Sequence, residues 1–495
     1  MKNITNISKT LYCNGVQCPK MLWLKKHHPE LFDESVMNQS VLDSGSEVGD
    51  LAMGLFGNFT EVPYGDLSEM IRKTDNLLAS EEQNIAEASF TYDGLFCSVD
   101  ILRNLGGGNL ELYEVKSSTS VHDIHLHDVA YQMYVLERLG YHVEKACLVH
   151  INREYIRGRE LEIEKLFAIE ELTGMARQMQ GDVHERVQTL KACILNPEEP
   201  CLDIGLHCWS PYDCGFWKHC TEALPPLNVF YVSGMQKKTK IKYYAQGIVS
   251  FEDLLNKAKL NPGQKMQLQY ELEDTDAHIE PDKIKEFLDT LTYPLYFLDF
   301  ESFEPAIPLY ENSRPYDQIV FQYSLHYFEE EGGPLHHKEF LAMPGKDPRR
   351  ELAEQLCADI PLGVCTLAYN MTFEKARIKE LAELYPDLAD HLMDIYGNIK
   401  DLMVPFQKKQ YYTKAMQGSY SIKYVLPALF PDDPALDYHN LEGVHNGSEA
   451  SAAFAVMQKM NQEELMSCRA NLLKYCGLDT FAMVRVLDRL KEKVK

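Results

Sequence analysis

The chain has no apolar signal core in its opening residues, Met-Lys-Asn-Ile-Thr-Asn, and no hydrophobic run of membrane-spanning length. Positive charge is also short, with 49 Lys and Arg against 74 Asp and Glu, a formal net charge of −25. That balance argues against a protein that holds a polyanion by bulk attraction to phosphate, and leaves metal ions and local basic patches as the means of contact. The thirteen cysteines are odd in number. Without a secretory signal this argues against a disulfide framework and for a reducing, cytoplasmic setting with no membrane partner. There is no internal repeat, phosphate loop or helicase motif, so no ATP-driven motor is implied.

What is present is an ordinary globular composition, 45% hydrophobic and 25% charged, over 495 residues, enough for two to four cored domains. The expected fold class is α/β multidomain. Pro225-Pro226 marks a boundary, and the expected regions are 1–224, 225–292 and 293–495.

The first region is organised around Leu110-Glu-Leu-Tyr-Glu-Val-Lys-Ser-Ser118 and the upstream Val99-Asp100-Ile101-Leu102. Side chains two apart on a strand share a face, so Glu114 and Lys116 point the same way. If Gly106-Gly107-Gly108 is a three-residue hairpin loop, Asp100 falls opposite Glu114. Two carboxylates so placed call for a cation such as Mg²⁺ or Mn²⁺, beside which a lysine can assist an attacking water.

Asp100 with Glu114-Val115-Lys116 resembles the active-site signature of the PD-(D/E)xK nucleases. Gln132, in Asp128-Val-Ala-Tyr-Gln-Met-Tyr134, stands where RecB-like members carry a site glutamine, although Leu136 replaces their follow-on tyrosine. Gly45-Ser-Glu-Val-Gly49 resembles their first helix motif, with Glu47 a weak substitute for a metal-binding histidine. The resemblance implies a restriction-endonuclease-like domain with Asp100 and Glu114 on the metal.

Three cysteines are clustered, Cys208, Cys214 and Cys220, and Cys18 is the candidate fourth, with Cys13 and Cys201 as spares. Four thiolates suit an iron–sulfur cluster or a structural zinc. All three tryptophans, Trp23, Trp209 and Trp217, lie near these cysteines in sequence. Bracketing the nuclease motif, they resemble the iron–sulfur RecB-family nucleases, which implies a 4Fe–4S cluster clamping the two ends of the domain, with Zn²⁺ as the alternative.

The rest of the first region reads as a polar loop at His122-Asp-Ile-His-Leu-His127, a strand from Val143 to Ile151, and a largely helical stretch from Glu160 to Leu195. Lys20, Lys25, Lys26, His27 and His28 form either a phosphate-facing patch or a solvated helix face. In 225–292, the lysines between Met235 and Lys242 and the Gly247-Ile248 turn resemble a helix-hairpin-helix, with a plain helical connector as the other reading.

The last region opens with Tyr296-Phe-Leu-Asp-Phe-Glu301, a strand with Asp299 and Glu301 on one face. Asn370-Met-Thr-Phe-Glu374 and Tyr475-Cys-Gly-Leu-Asp479 add polar groups four apart, as on a helix face. Such convergence fits two cations about 3.5–4 Å apart. The three motifs resemble the DEDD exonucleases of the RNase H-like superfamily, in the branch ending Tyr-x-x-x-Asp, with Glu374 where an aspartate is usual. The resemblance implies that Asp299, Glu301, Glu374 and Asp479 hold two ions and Tyr475 positions the nucleophile. Asp401 is expected to supply or support the second-motif carboxylate, and Gly418 to Lys423 to pack under the site.

Taken whole, the chain resembles a bacterial family that joins a RecB-like nuclease domain to an RNase H-like exonuclease domain through a small helical linker. This implies a metal-dependent phosphodiesterase acting on nucleic acid, DNA ahead of RNA. A nucleic-acid-binding scaffold with decayed centres and a ribonuclease remain the alternatives.

Overall fold

The computed structural model describes residues 5–36, 39–275 and 277–495, with the side chains of 39–43 outside the description. Residues 1–4, part of the stretch read above as lacking a signal core, also lie outside it. The protein is α/β and divides into two compact units. One comprises Met1–Ala223 with Pro305–Asp317, the other Leu224–Glu304 with Gln318–Lys495. Among the described residues no helix is long and apolar enough to cross a membrane.

The first unit is built on seven strands, β1 (Ile7–Ser8), β2 (Thr60–Glu61), β3 (Asn84–Tyr92), β4 (Leu95–Gly106), β5 (Asn109–Lys116), β6 (His142–Ile151) and β7 (Phe167–Glu171). They are ordered β2-β3-β4-β5-β6-β7, with β1 parallel to the start of β4. β4 and β5 form an antiparallel hairpin whose tip is Gly107-Gly108, both at positive φ, a conformation glycine adopts without steric cost. The loop is thus one residue shorter than the count of three, and an irregularity between Asn104 and Gly106 restores the same pairing, Ile101 opposite Tyr113. β5 is buried from Leu110 to Val115, because both of its faces are covered. Val115 and Tyr113 pack with Val48 and Ala52 on one side, and Leu110 and Leu112 with Val129 and Met133 on the other.

Two parts of this unit depart from the sequence reading. β7 interrupts the stretch expected to be helical from Glu160 to Leu195, pairing antiparallel with β6. Its five residues, Phe-Ala-Ile-Glu-Glu, are too few to show a period against their charged surroundings. The His122–His127 stretch is the first turn of the helix Asp123–Arg138 rather than a loop, with His122 as its N-cap.

The main sheet of the second unit has five strands, β9 (Leu295–Phe303), β10 (Ile319–Phe328), β11 (His336–Leu341), β12 (Cys365–Ala368) and β13 (Ile399–Asp401), ordered β11-β10-β9-β12-β13. The first three are antiparallel neighbours; β12 and β13 run parallel to β9. Alternation along β9 sends Tyr296, Leu298 and Phe300 to a core with Ile378 and Leu381. The other face carries Leu295, Phe297, Asp299 and Glu301 toward the 31-residue helix Gln462–Glu492. A capping box between Asn461 and Glu464 starts that helix.

The 225–292 stretch belongs to this second unit. Its short helices Lys237–Ala245 and Phe251–Lys257 flank Gly247, as expected, around a core of Val229, Phe251 and Leu268. Beyond them β8 (Ala277–Ile279) pairs with β14 (Tyr411–Thr413), and Ile284 enters the same core as Phe297.

Candidate functional site

In the first unit Asp100, Glu114 and Lys116 meet, as the spacing predicts, and Gln132, singled out by the resemblance, joins them. Lys116 Nζ lies 2.6 Å from Glu114 Oε1, and Gln132 Nε2 donates to Glu114 Oε2 at 2.7 Å. Asp100 Oδ2 accepts the Val115 N–H at 2.7 Å. Two residues missed by sequence reasoning complete the cluster. Asp128 takes Lys116 at 2.8 Å and Gln132 at 3.1 Å; it precedes Gln132 by four on one helix, and that spacing was the available signal. Lys9, at the start of the helix Lys9–Gln17, reaches both Glu114 oxygens at 2.9 Å and Asp100 Oδ1 at 3.1 Å. Nothing in its local sequence marks it.

The charges in this cluster nearly balance. Burial alone would raise the Glu114 carboxyl, but Lys116 and Lys9 hold it well below the usual carboxylate range. Burial and the Glu114 charge push Asp100 up. Partial burial would lower both lysines, yet the carboxylates around them keep each above its ordinary value. Glu47 is exposed on its helix. Cys13, held in reserve as a thiolate ligand, feels the charges of Asp128, Lys116 and Glu114.

The other cysteines gather where expected. Cys18, Cys208, Cys214 and Cys220 line one cavity with Met21, Leu24 and Phe216, while Cys201 is exposed. Cys18 N-caps the helix Pro19–His27, its sulfur accepting from Met21 N at 3.4 Å. Gln17 ties the two ends of the unit together by donating to the carbonyls of His207 and Tyr212, each at 2.7 Å. Burial raises all four thiols, Cys18 to about 11. The neighbouring basic side chains are already engaged. Lys20 pairs with Glu199, Lys26 with the Asn6 carbonyl, His27 with the Ile194 carbonyl and His28 with Glu30, and Lys25 lies over Phe32.

In the second unit β9 and the helix Gln462–Glu492 bring Asp299, Glu301, Tyr475 and Asp479 together, and Glu374 joins them from the first turn of the helix Thr372–Leu384. Asp299, Glu301 and Cys476 place one ligand atom each within 4.8 Å of one another, the one such trio of His, Cys, Asp or Glu among the described residues. Cys476 was missed, although it directly follows Tyr475. Tyr438 was missed too, and donates to Asp479 Oδ1 at 2.5 Å.

Cations are scarce in this second cluster. Burial, then the neighbouring carboxylates, drives Asp299 and Glu301 well above the usual carboxylate range. Burial raises Glu374 to about 8 and Asp479 to about 6, the latter against the pull of Tyr438, Lys423 and Tyr475. Glu374 is 3% exposed, and its Oε2 has no hydrogen-bond partner. Asp401 is a support: its Oδ1 accepts the backbone N–H of Asn370 at 3.0 Å and of Met403 at 2.9 Å. Asn370 stands before the helix at φ +68° rather than inside it. Lys423 is exposed, and its charge acts on Glu301 and Asp479.

A family described as a domain of unknown function, DUF2779, matches residues 296–421, a span that holds Asp299, Glu301, Glu374 and Asp401 but not Tyr475 or Asp479. An uncharacterised protein of Mycoplasma genitalium is 24% identical over 234 residues, 43% of this chain and 34% of that protein. One from Ureaplasma parvum is 31% identical over 156 residues, 29% of this chain and 22% of that protein. The chain therefore spans about a third or less of either relative's length. No solved structure matches it at significance.

Proposed function

We propose that the chain is a metal-dependent nuclease hydrolysing phosphodiester bonds, DNA ahead of RNA, with its chemistry at the Asp299 cluster. The observation that carries this reading is the unpartnered Oε2 of buried Glu374 beside three more acids. Buried charge of one sign is costly unless paired or bound to metal, and oxygen donors so crowded fit Mg²⁺ or Mn²⁺. Asp299, Glu301, Glu374 and Asp479 would hold them. Divalent ions bound there would supply an activated water and stabilise the departing oxygen. Tyr475 orients the nucleophile with its phenol, Tyr438 fixes the rotamer of Asp479, and exposed Lys423 attracts the substrate phosphate. The strand order, three antiparallel strands followed by two parallel ones on the far side of the first, supports an RNase H-like assignment. The β3–β4–β5 meander with β6 parallel to β5 supports a restriction-endonuclease-like one.

The cysteine cavity is read as the seat of a structural cluster. Four thiols lining one cavity suit a 4Fe–4S cluster, with Zn²⁺ as the alternative.

End-labelled single-stranded and duplex DNA, and RNA, incubated with Mn²⁺-loaded protein, test the activity. Cleavage lost in Asp299→Asn and in Asp479→Asn supports the assignment; cleavage retained in the double variant rejects it. Binding without cleavage under every condition favours the scaffold reading, which the lysine-filled Asp100 cluster motivates.

A further inference from the structure

Glu114 has no unused acceptor capacity. Its Oε1 takes Lys116 and Lys9, and its Oε2 takes Gln132 and Lys9. Asp100 spends half of its capacity, Oδ2 on Val115 N–H and Oδ1 on Lys9. The ammonium of Lys9 lies 2.9 to 3.1 Å from three oxygens of two acids, the position from which one divalent ion would bridge them at about 2.0–2.1 Å. Ion and ammonium exclude each other there by volume and by charge. A resident metal does not fit this cluster as it stands.

We infer that Lys9 is a built-in competitor for divalent metal at the Asp100 cluster, so that an ion enters only by expelling its ammonium. Lys9 is the member free to leave. Its side chain is a fifth exposed, whereas Gln132 is fully buried and Lys116 stays anchored by Asp128 when Glu114 is taken. Its backbone is held in place, because Ile7-Ser8 pairs with β4 and the Ile7 carbonyl accepts from Tyr131 at 2.6 Å. Only the unbranched stem swings. Expelled, the ammonium requires another anion, and on the nuclease reading that anion is a phosphodiester oxygen of the substrate. Metal and polyanion then assist each other, since whichever arrives first weakens the grip that opposes the second, and linkage makes the effect reciprocal.

The test uses the full chain with Asp299→Asn and Asp479→Asn silencing the other cluster, Mn²⁺ as the metal and a short phosphorothioate-linked oligothymidylate as the polyanion. Titration calorimetry should show Lys9→Met tightening Mn²⁺ binding by at least about fivefold, with Lys9→Arg remaining weak. The oligonucleotide should tighten Mn²⁺ binding when Lys9 is present and have no effect in Lys9→Met. A folded Lys9→Met with unchanged or weaker Mn²⁺ affinity overturns the competition. If that variant does not fold, acetylation of Lys9 in the otherwise unaltered chain, followed by mass spectrometry, decides: Mn²⁺ should accelerate it, and an unchanged rate overturns the proposal. An oligonucleotide without effect on Mn²⁺ binding, when Lys9→Met has tightened it, overturns the polyanion as acceptor and leaves both the competition and the Asp299 assignment standing.

Discussion

Tyr438 points its hydroxyl at Asp479, 2.5 Å from Oδ1, from a short helical turn that has no counterpart among the three acidic motifs. The contact holds a carboxylate proposed as a metal ligand in one rotamer. Tyr438→Phe should therefore cost about ten- to a hundredfold in Mn²⁺ affinity or turnover, the usual price of losing such an outer partner. Tyr475→Phe, which removes the hydroxyl proposed to orient the nucleophile, should lower kcat with little change in Mn²⁺ affinity. Calorimetry beside single-turnover cleavage separates the two.

The Asp299 cluster predicts an inverted pH profile for metal-free stability. Glu374 rises from an ordinary 4.5 to about 8 and Asp479 from 3.8 to about 6, burial being the main cause. Below these ordinary values both groups are protonated, folded or unfolded, and cost nothing. As pH climbs toward 8 the unfolded chain ionises first, so stability falls, and above the folded values the whole penalty is present. Thermal unfolding in EDTA should lose midpoint temperature between pH 4.5 and 8. Mn²⁺ should remove most of that slope, and Glu374→Gln should flatten it without metal.

The cysteine cavity predicts colour. Protein purified without oxygen should be brown and should bleach in Cys214→Ala, with iron content falling in parallel. Because Gln17 ties the ends of the unit beside this cavity, the same variant should unfold at a lower temperature. A colourless protein carrying stoichiometric zinc would show the site to be a zinc staple.

Gly418 predicts a loss of stability. At φ +74°, a Cβ there would meet Gln267 at 2.4 Å and Ser233 at 2.8 Å, and Gln267 is pinned by its bonds to the Tyr231 and Gln417 carbonyls. Gly418→Val should cost about 2–4 kcal/mol in urea unfolding, combining backbone strain with overpacking.

Short motifs made much of this legible in sequence. Asp299 and Glu301 alternate on a strand, and Tyr475 and Asp479 are spaced for a helix, so periodicity alone places each pair on one face; Glu114 and Lys116 follow the same rule. Residues supplied by an element whose own pattern has no tie to the motif stayed hidden. Lys9 comes from an N-terminal helix about a hundred residues from its partners, and Tyr438 from a turn, and neither has a local period. β7 was hidden for the opposite reason, being too short to outweigh the charged helices beside it. The grouping of Pro305–Asp317 with the first unit depends on packing that no local pattern records.

That thirteen-residue excursion makes the molecule hard to dissect. Ala306 is 4% exposed among Val48, Tyr113 and Val115, Ile307 packs alongside, and Tyr316 donates its hydroxyl to the Ser117 carbonyl, next to Lys116. A fragment ending near residue 224 would lose these three side chains and uncover apolar surface beneath the strand that carries Glu114. Gene fragments cut at the Pro225-Pro226 boundary should therefore give sticky, poorly behaved halves, and shuffling either half onto another protein would have to bring the borrowed loop along.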